Sequence, residues 1–219
     1  MAYFPLFMDI TNKKCIVVGG GKIALRKVEI LVQFQPSITI IAPEFCDEMK
    51  RIQTEFTSLT FINRSVVDED LEEAELVVAA TDNETVNTHI SKICMEKNIL
   101  INVVDVPEQC TFIFPAIVKR DDLVVAVSTG GNSPSMAARI RKEIEEVIPE
   151  YYGELIELFG EYRDLIKNEI HLPQYRVRIY NELIDVAKNR ENNLTKDFIM
   201  QTIEKYKSYE EGDWNHESK

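Results

Sequence analysis

Glycine is scarce in this 219-residue chain: only 8 occur, and five of those sit in two groups, Gly19-Gly20-Gly21 and Gly130-Gly131. A chain so sparing with glycine uses it where backbone freedom, or close approach of a ligand to the backbone, is required. Histidine is scarcer still, with 3 residues (His89, His171, His216) far apart and in no H-x-x-x-H or H-E-x-x-H frame, so no resident metal is expected. The four cysteines (Cys15, Cys46, Cys94, Cys110) form no C-x-x-C pair and read as small buried hydrophobes in a reducing compartment. Cys110 has no histidine or helix terminus beside it in sequence to activate a thiol. Positive charge is in deficit, 25 Lys and Arg against 37 Asp and Glu for a net −12, which argues against a nucleic-acid partner whose phosphates need neutralising. No apolar run approaches the ~20 residues of a membrane helix. Residues 1–10 lack the basic start and long apolar stretch of a signal peptide. These absences leave an expectation of a cytoplasmic protein that touches neither nucleic acid nor membrane. Its 45% hydrophobic content suffices for a core without disulfide or metal staples.

What is present is an alternation. Residues 14–18, 37–42, 59–62, 76–80 and 100–104 are short runs rich in β-branched residues. Helical spacing separates several of them: Ala24, Val28 and Leu31 after the first, and Val86, Ile90, Ile93 and Cys94 after the fourth. Strand, helix, strand in repetition predicts a parallel sheet with right-handed crossovers, that is, an α/β Rossmann-like domain. After Pro107 the grammar changes. Residues 111–118 and 123–128 read as two strands joined by the charged turn 119–122, an antiparallel hairpin. Met136, Ile140, Ile144 and Val147 then mark a helix closed by Pro149. Residues 150–208 read as two or three more helices, broken near Pro173 and near 189–195, and 210–219 read as a polar, frayed tail.

Gly19-Gly20-Gly21-Lys22-Ile23-Ala24 is a G-x-G-x-x-A between a strand and a helix. The first glycine permits the tight turn, the second admits a pyrophosphate to the backbone, and Ala24 lets the helix pack close. The helix N-terminus adds unpaired N–H groups and about half a positive charge. At the end of the second strand stands Pro43-Glu44, where Glu44 suits ribose hydroxyls and so favours NAD over NADP, with a solvated loop acid as the equal alternative. Thr81-Asp82-Asn83 and Asp105 follow the fourth and fifth strands and are expected at one crevice, with Asp82 as an N-cap. Asp105 caps no evident helix and is placed to take a proton while a hydride leaves. A turn aspartate bonded to its own backbone is the competing reading. Ser128-Thr129-Gly130-Gly131-Asn132-Ser133-Pro134 ends a strand and opens a helix, with Ser133 as N-cap and Pro134 at its first position. Its hydroxyls and amides, with Lys119, Arg120, Arg139, Arg141 and Lys142 nearby in sequence, form a local basic grouping suited to an anionic substrate. An ordinary solvated helix face explains the same charges.

These motifs, taken in order, resemble a known family. They are Phe4-Pro5-Leu6-Phe7, Val17 to Ala24 with Arg26-Lys27, Ala79 to Asn83 with Asn87, Asn102 to Pro107, Phe112 to Ala116, and Val127 to Pro134 with Ala138-Arg139. Together they resemble the precorrin-2 dehydrogenases of siroheme synthesis, densely over residues 1–147 and loosely beyond. The resemblance implies an NAD-binding Rossmann domain (1–110), a dimerisation segment built of hairpin and helix (111–148) and a helical C-terminal domain (149–209). It implies a homodimer and a hydride passed from precorrin-2 to NAD, giving sirohydrochlorin. It implies Asp105 as the catalytic residue and Gly19, Gly21, Lys22, Ile23, Pro43, Glu44 and Thr81 around the cofactor. Ser128, Gly130, Gly131, Arg120 and Arg139 are the expected substrate contacts, since precorrin-2 carries eight carboxylates. Some relatives also insert Fe²⁺, by the same aspartate. The residues do not decide that question, and the reading leans to dehydrogenation alone. The fused methyltransferase of some relatives is expected to be absent, with precorrin-2 supplied by another protein. A non-catalytic NAD-sensing module is the alternative from another class. It accounts for the glycine loop but not for Asp105, the Gly130-Gly131 pair or the basic helix.

Overall fold

Five apolar runs of the first hundred residues become parallel strands in the order β3-β2-β1-β4-β5: β1 Lys14–Val18, β2 Ser37–Ile41, β3 Leu59–Ile62, β4 Leu76–Ala79 and β5 Leu100–Val103. This is a computed structural model, and it describes residues 3–56, 58–190 and 194–217. The strands alternate across two covered faces, as parallel sheets require. Val17, Ile38, Ile40, Leu76 and Val78 face α1 (Lys22–Leu31) through Ala24, Val28 and Leu31. Ile16, Val18, Ile41, Val77 and Ala79 face the opposite way, toward Ile90 and Cys94 of α3, with α2 (Asp47–Glu55) and α3 (Glu84–Glu96) completing the helices of this unit. Register brings Val18 level with Ile41 and Ala79, so β1, β2 and β4 end in step and their following loops gather at one edge. Helix α2 had no clear periodic signal: among its described side chains only Met49 is fully buried, and acids fill its first turn.

The expected strand at 111–118 begins only at Ala116. The segment before it bonds along β5 instead. The Thr111 N–H donates to the Ile101 carbonyl (2.8 Å), and its hydroxyl accepts from the Ile101 N–H (2.9 Å). The Asn102 amide donates to the Phe112 carbonyl (3.1 Å). This first unit runs to Phe114 and also includes Gly130–Asn132.

The second unit contains Pro115–Thr129 and the residues from Ser133 onward. Its hairpin, β6 (Ala116–Arg120) and β7 (Leu123–Val127), is antiparallel with Arg120 opposite Leu123. The turn is therefore Asp121-Asp122 alone, shorter than expected, and Asp121 takes the positive φ (48°) that a tight hairpin demands. Helix α4 (Pro134–Val147) starts as expected: the Ser133 hydroxyl accepts from the Met136 N–H at 3.3 Å, with Pro134 first in the helix. Three helices follow, α5 (Tyr151–Glu169), α6 (Pro173–Arg190) and α7 (Lys196–Glu217), packed through Ile166, Ile170, Ile179, Leu183, Ile199 and Ile203. No gap opens at residue 149. A Cβ on Gly153 would strike the Asp121 carboxylate and the Arg120 backbone, so α5 lies directly on the hairpin turn. The tail expected to fray at 210–219 is corrected as far as Glu217, where α7 continues; 218 and 219 lie outside the described residues. Glu210 accounts for the difference. It is buried, and its carboxylate accepts from the His171 N–H at 3.0 Å and from the Leu172 N–H, groups otherwise orphaned at the start of α6. No described helix is long and apolar enough to cross a membrane.

Candidate active site

The glycine triplet closes the β1–α1 turn, and each glycine has a separate reason to be one. Gly19 holds φ at 132°, and a Cβ there would run into the Ala80 carbonyl. A Cβ on Gly20 would meet the Glu44 carbonyl, with Ala42 Cβ also at 3.0 Å. Gly20 thus matters as much as its neighbours, although the motif treats it as a free position. Its carbonyl accepts from the Cys46 N–H (2.8 Å), and the Gly19 N–H donates to Ile41 (2.9 Å), tying the turn to the end of β2. Gly21 has no neighbour within 4 Å of a Cβ position. It is the N-cap of α1, with extended backbone and no side chain capping the helix, so the first N–H groups of α1 are left for a ligand.

A cavity of about 900 Å³ opens over that helix start. All seven expected cofactor residues, Gly19, Gly21, Lys22, Ile23, Pro43, Glu44 and Thr81, line it. Both Glu44 and Ile23 are exposed there, and Lys22 pairs with Glu48 at 3.2 Å on the rim. The Thr81 hydroxyl donates to Asn87 Oδ1 (2.7 Å), and the Asn87 amide donates back to the Thr81 carbonyl (3.0 Å), which fixes the loop after β4. The N-cap of α3 is Asn83, whose side chain accepts from the Val86 N–H at 3.2 Å, and not Asp82 as expected. Asp68 and His89, paired at 2.8 Å, also line the cavity. Their separation by 21 residues left no motif to find them.

Asp105 is not among the residues lining this cavity, a correction to the expectation that it shares one crevice with Thr81-Asp82-Asn83. It follows β5, one strand beyond β4, and turns the chain with φ at 62°. Its charge acts instead on Lys27 of α1, whose ammonium lies 4.1 Å from the centre of the Phe114 ring. Burial pushes the Lys27 ammonium below its ordinary range, and the negative charge of Asp105 partly restores it. The Cys110 thiol is pushed up by burial, and its sulfur accepts from the Val103 N–H (3.1 Å), so it is no activated nucleophile.

In the second unit, Arg120 is not an open anion receptor. Its guanidinium, 13% exposed, pairs with Glu150 (3.0 Å) and Glu145 (3.9 Å) and donates to the Lys119 carbonyl (3.1 Å). Arg141 pairs with Glu145 (2.6 Å). Arg139 projects into solvent, 75% exposed, with Glu143 at 2.9 Å. The acids one turn on from Arg139 and Arg141, and the two that meet Arg120, had no place in the expectation, and they offset much of the basic grouping. Ser128 ends β7. Gly130 and Gly131 hold φ at 63° and 87°, and the Thr129 hydroxyl brackets the turn by accepting from the Ser133 N–H (3.1 Å). Among the described residues no group of three or more His, Cys, Asp or Glu is placed to hold a metal.

Comparison with known proteins agrees with this layout. An NAD(P)-binding family model matches residues 6–116, and the model of the sirohaem biosynthesis protein central segment matches 120–146. The siroheme synthase of Thioalkalivibrio sulfidiphilus is 40% identical over 185 residues, 84% of this chain and 38% of that protein. That of Ruthia magnifica is 40% identical over 169 residues, 77% of this chain and 36% of that protein. The chain thus spans little more than a third of the length of these relatives. Among solved structures, SirC, precorrin-2 dehydrogenase, matches with a TM-score of 0.75 at 27% identity, covering 93% of this chain and 100% of SirC.

Proposed function

The chain belongs to the NAD(P)-binding family of sirohaem biosynthesis proteins, and from that premise we propose that it oxidises precorrin-2 to sirohydrochlorin with NAD. One observation carries the reading: an uncapped helix start beneath an open glycine, over a cavity of about 900 Å³, in a sheet whose edge strand β5 is followed by Asp105. The cavity fits a dinucleotide. Its glycine turn has room only at Gly21, the position where a diphosphate must approach, and the amides that follow offer donors there. Glu44 at the end of β2 suits ribose hydroxyls and repels a 2′-phosphate, which supports NAD over NADP. When bound, the nicotinamide supplies the hydride acceptor. Loss of a hydride from precorrin-2 must be matched by loss of a proton, and Asp105 is the base we assign to that proton. Two groups are then needed on this chain, a turn that grips the diphosphate and a carboxylate that receives a proton, and a sensor would need only the first. The same family resemblance supports a homodimer working in the cytoplasm.

The test is to mix the protein with precorrin-2 and NAD, or NADP, and follow the reduced nicotinamide by absorbance, with light scattering for the assembly. Reduced nicotinamide formed faster from NAD than from NADP is the expected result. A folded sample that binds NAD and forms none is a sensor. Offering sirohydrochlorin with Fe²⁺ or Co²⁺ in the same series tests for metal insertion.

A further inference from the structure

Lys27 sits where a lysine is expensive. Helix α1 buries Ala24, Leu25, Val28 and Leu31, and Lys27 lies at the border of that face, half-buried. Lys22, at the start of the same helix, has a side chain 73% exposed that finds Glu48, the ordinary behaviour of a surface lysine. Lys27 instead folds its ammonium over the Phe114 ring at 4.1 Å. Phe114 in turn packs at 5.3 Å on Phe112, and both rest against the core under α1. Among the described residues no carboxylate stands within 4.0 Å ion-pair distance of Lys27. The anionic group acting most strongly on it is Asp105, at longer range. A half-desolvated cation whose charge is met only by a ring face and a distant acid gains most from one further anion.

We propose that Lys27 is a substrate-binding residue: its ammonium, held on the Phe114 ring, receives a peripheral carboxylate of the tetrapyrrole. This rests on the function proposed above and names a second group of its site. The arrangement explains why a half-buried cation is kept within the electrostatic reach of the proposed base. An acid side chain of the macrocycle drawn onto Lys27 neutralises it, and the carbon framework carrying that side chain is then delivered to Asp105. A charge-assisted contact of this kind orients as well as holds.

The experiment measures sirohydrochlorin binding in the absence of NAD, by tryptophan-independent absorbance titration of the macrocycle, for wild type, Lys27→Met and Lys27→Arg. Met keeps the apolar stem against Phe114 and removes only the charge. The proposal expects about a tenfold or greater loss of affinity in Lys27→Met, recovery of most of it in Lys27→Arg, and NAD affinity unchanged in both. In turnover, KM for precorrin-2 rises in Lys27→Met more than kcat falls. Equal sirohydrochlorin affinity in Lys27→Met and wild type overturns the proposal, as does a parallel loss of NAD affinity, which would mark Lys27 as a structural support of α1. Wild type that binds sirohydrochlorin but forms no NADH from precorrin-2 overturns the dehydrogenase reading while leaving the lysine assignment to the binding comparison. Wild type that binds no tetrapyrrole overturns both.

Discussion

Two adjacent glycines in one turn should respond to the same substitution in opposite ways. Gly20→Ala places a methyl group against the Glu44 carbonyl and Ala42 Cβ, backbone and a short side chain that have nowhere to go. Overpacking of that kind costs roughly 1–3 kcal/mol. For a chain of this size each kcal/mol lowers Tm by about 2–4 °C, so the apo variant should melt some 2–12 °C early. Gly21→Ala puts its methyl group into open space, at a φ of −89° that alanine adopts freely. Its apo Tm should match wild type or rise slightly, since alanine restricts the unfolded chain. The cost appears only with ligand. At an NAD concentration about 100 times Kd, wild type gains about 2.7 kcal/mol. If the methyl group weakens binding about tenfold, the same NAD stabilises Gly21→Ala by only about 1.4 kcal/mol. Differential scanning fluorimetry with and without NAD reads both effects. An unchanged NAD-induced shift in Gly21→Ala would falsify the diphosphate position, and an unchanged apo Tm in Gly20→Ala would refute the packing of the turn.

Asp105→Asn keeps a residue that tolerates the left-handed backbone at this turn, so fold and NAD affinity should hold while turnover drops by about 10²–10⁴; near-normal NADH production would show that the proton goes elsewhere. Glu210→Ala leaves the His171 and Leu172 amides unpaired, at roughly 1–3 kcal/mol each, and should lower the melting temperature of the helical unit without touching NAD affinity. Burial, with Glu75 adding to it, pushes the Cys15 thiol up to about 12, and burial pushes Cys94 up to about 11. Their unfolded counterparts lose the proton near the ordinary value of about 8.5. The unfolded state therefore binds fewer protons as pH rises, so this stability is complete below about 8.5 and is lost progressively toward 12. Urea midpoints at pH 8 and 10.5 should fall more in wild type than in Cys15→Val, and equal falls would place Cys15 in a wet environment.

How much was readable in the chain followed the range of the forces involved. The parallel sheet, the hairpin, the helix break at Pro173 and the Ser133 cap all depend on residues a few positions apart; of the break expected near 189–195, residues 191–193 lie outside the described residues. Period, turn chemistry and capping are therefore written locally. The lining of the cavity over the glycine turn was readable for the same reason: glycine loop, Pro43-Glu44 and Thr81 each follow a strand, and strands in register end together. Contacts between distant segments were not. Arg120 looked available until Glu145 and Glu150, on elements after the hairpin, closed on it. The polar stretch from Glu210 looked loose because its partners, the His171 and Leu172 amides, lie 39 and 38 residues away. Asp105 and Lys27 lie on separate elements, with nothing in their spacing to pair them.

The sequence alone thus determined the elements, their parallel pairing and the place of the glycine turn, because hydrophobic period and glycine stereochemistry act within a few residues. Only the tertiary structure decided which charges are spent on one another and which are left for a ligand. Coulombic pairing and desolvation depend on distance in space, and distance along the chain does not record it.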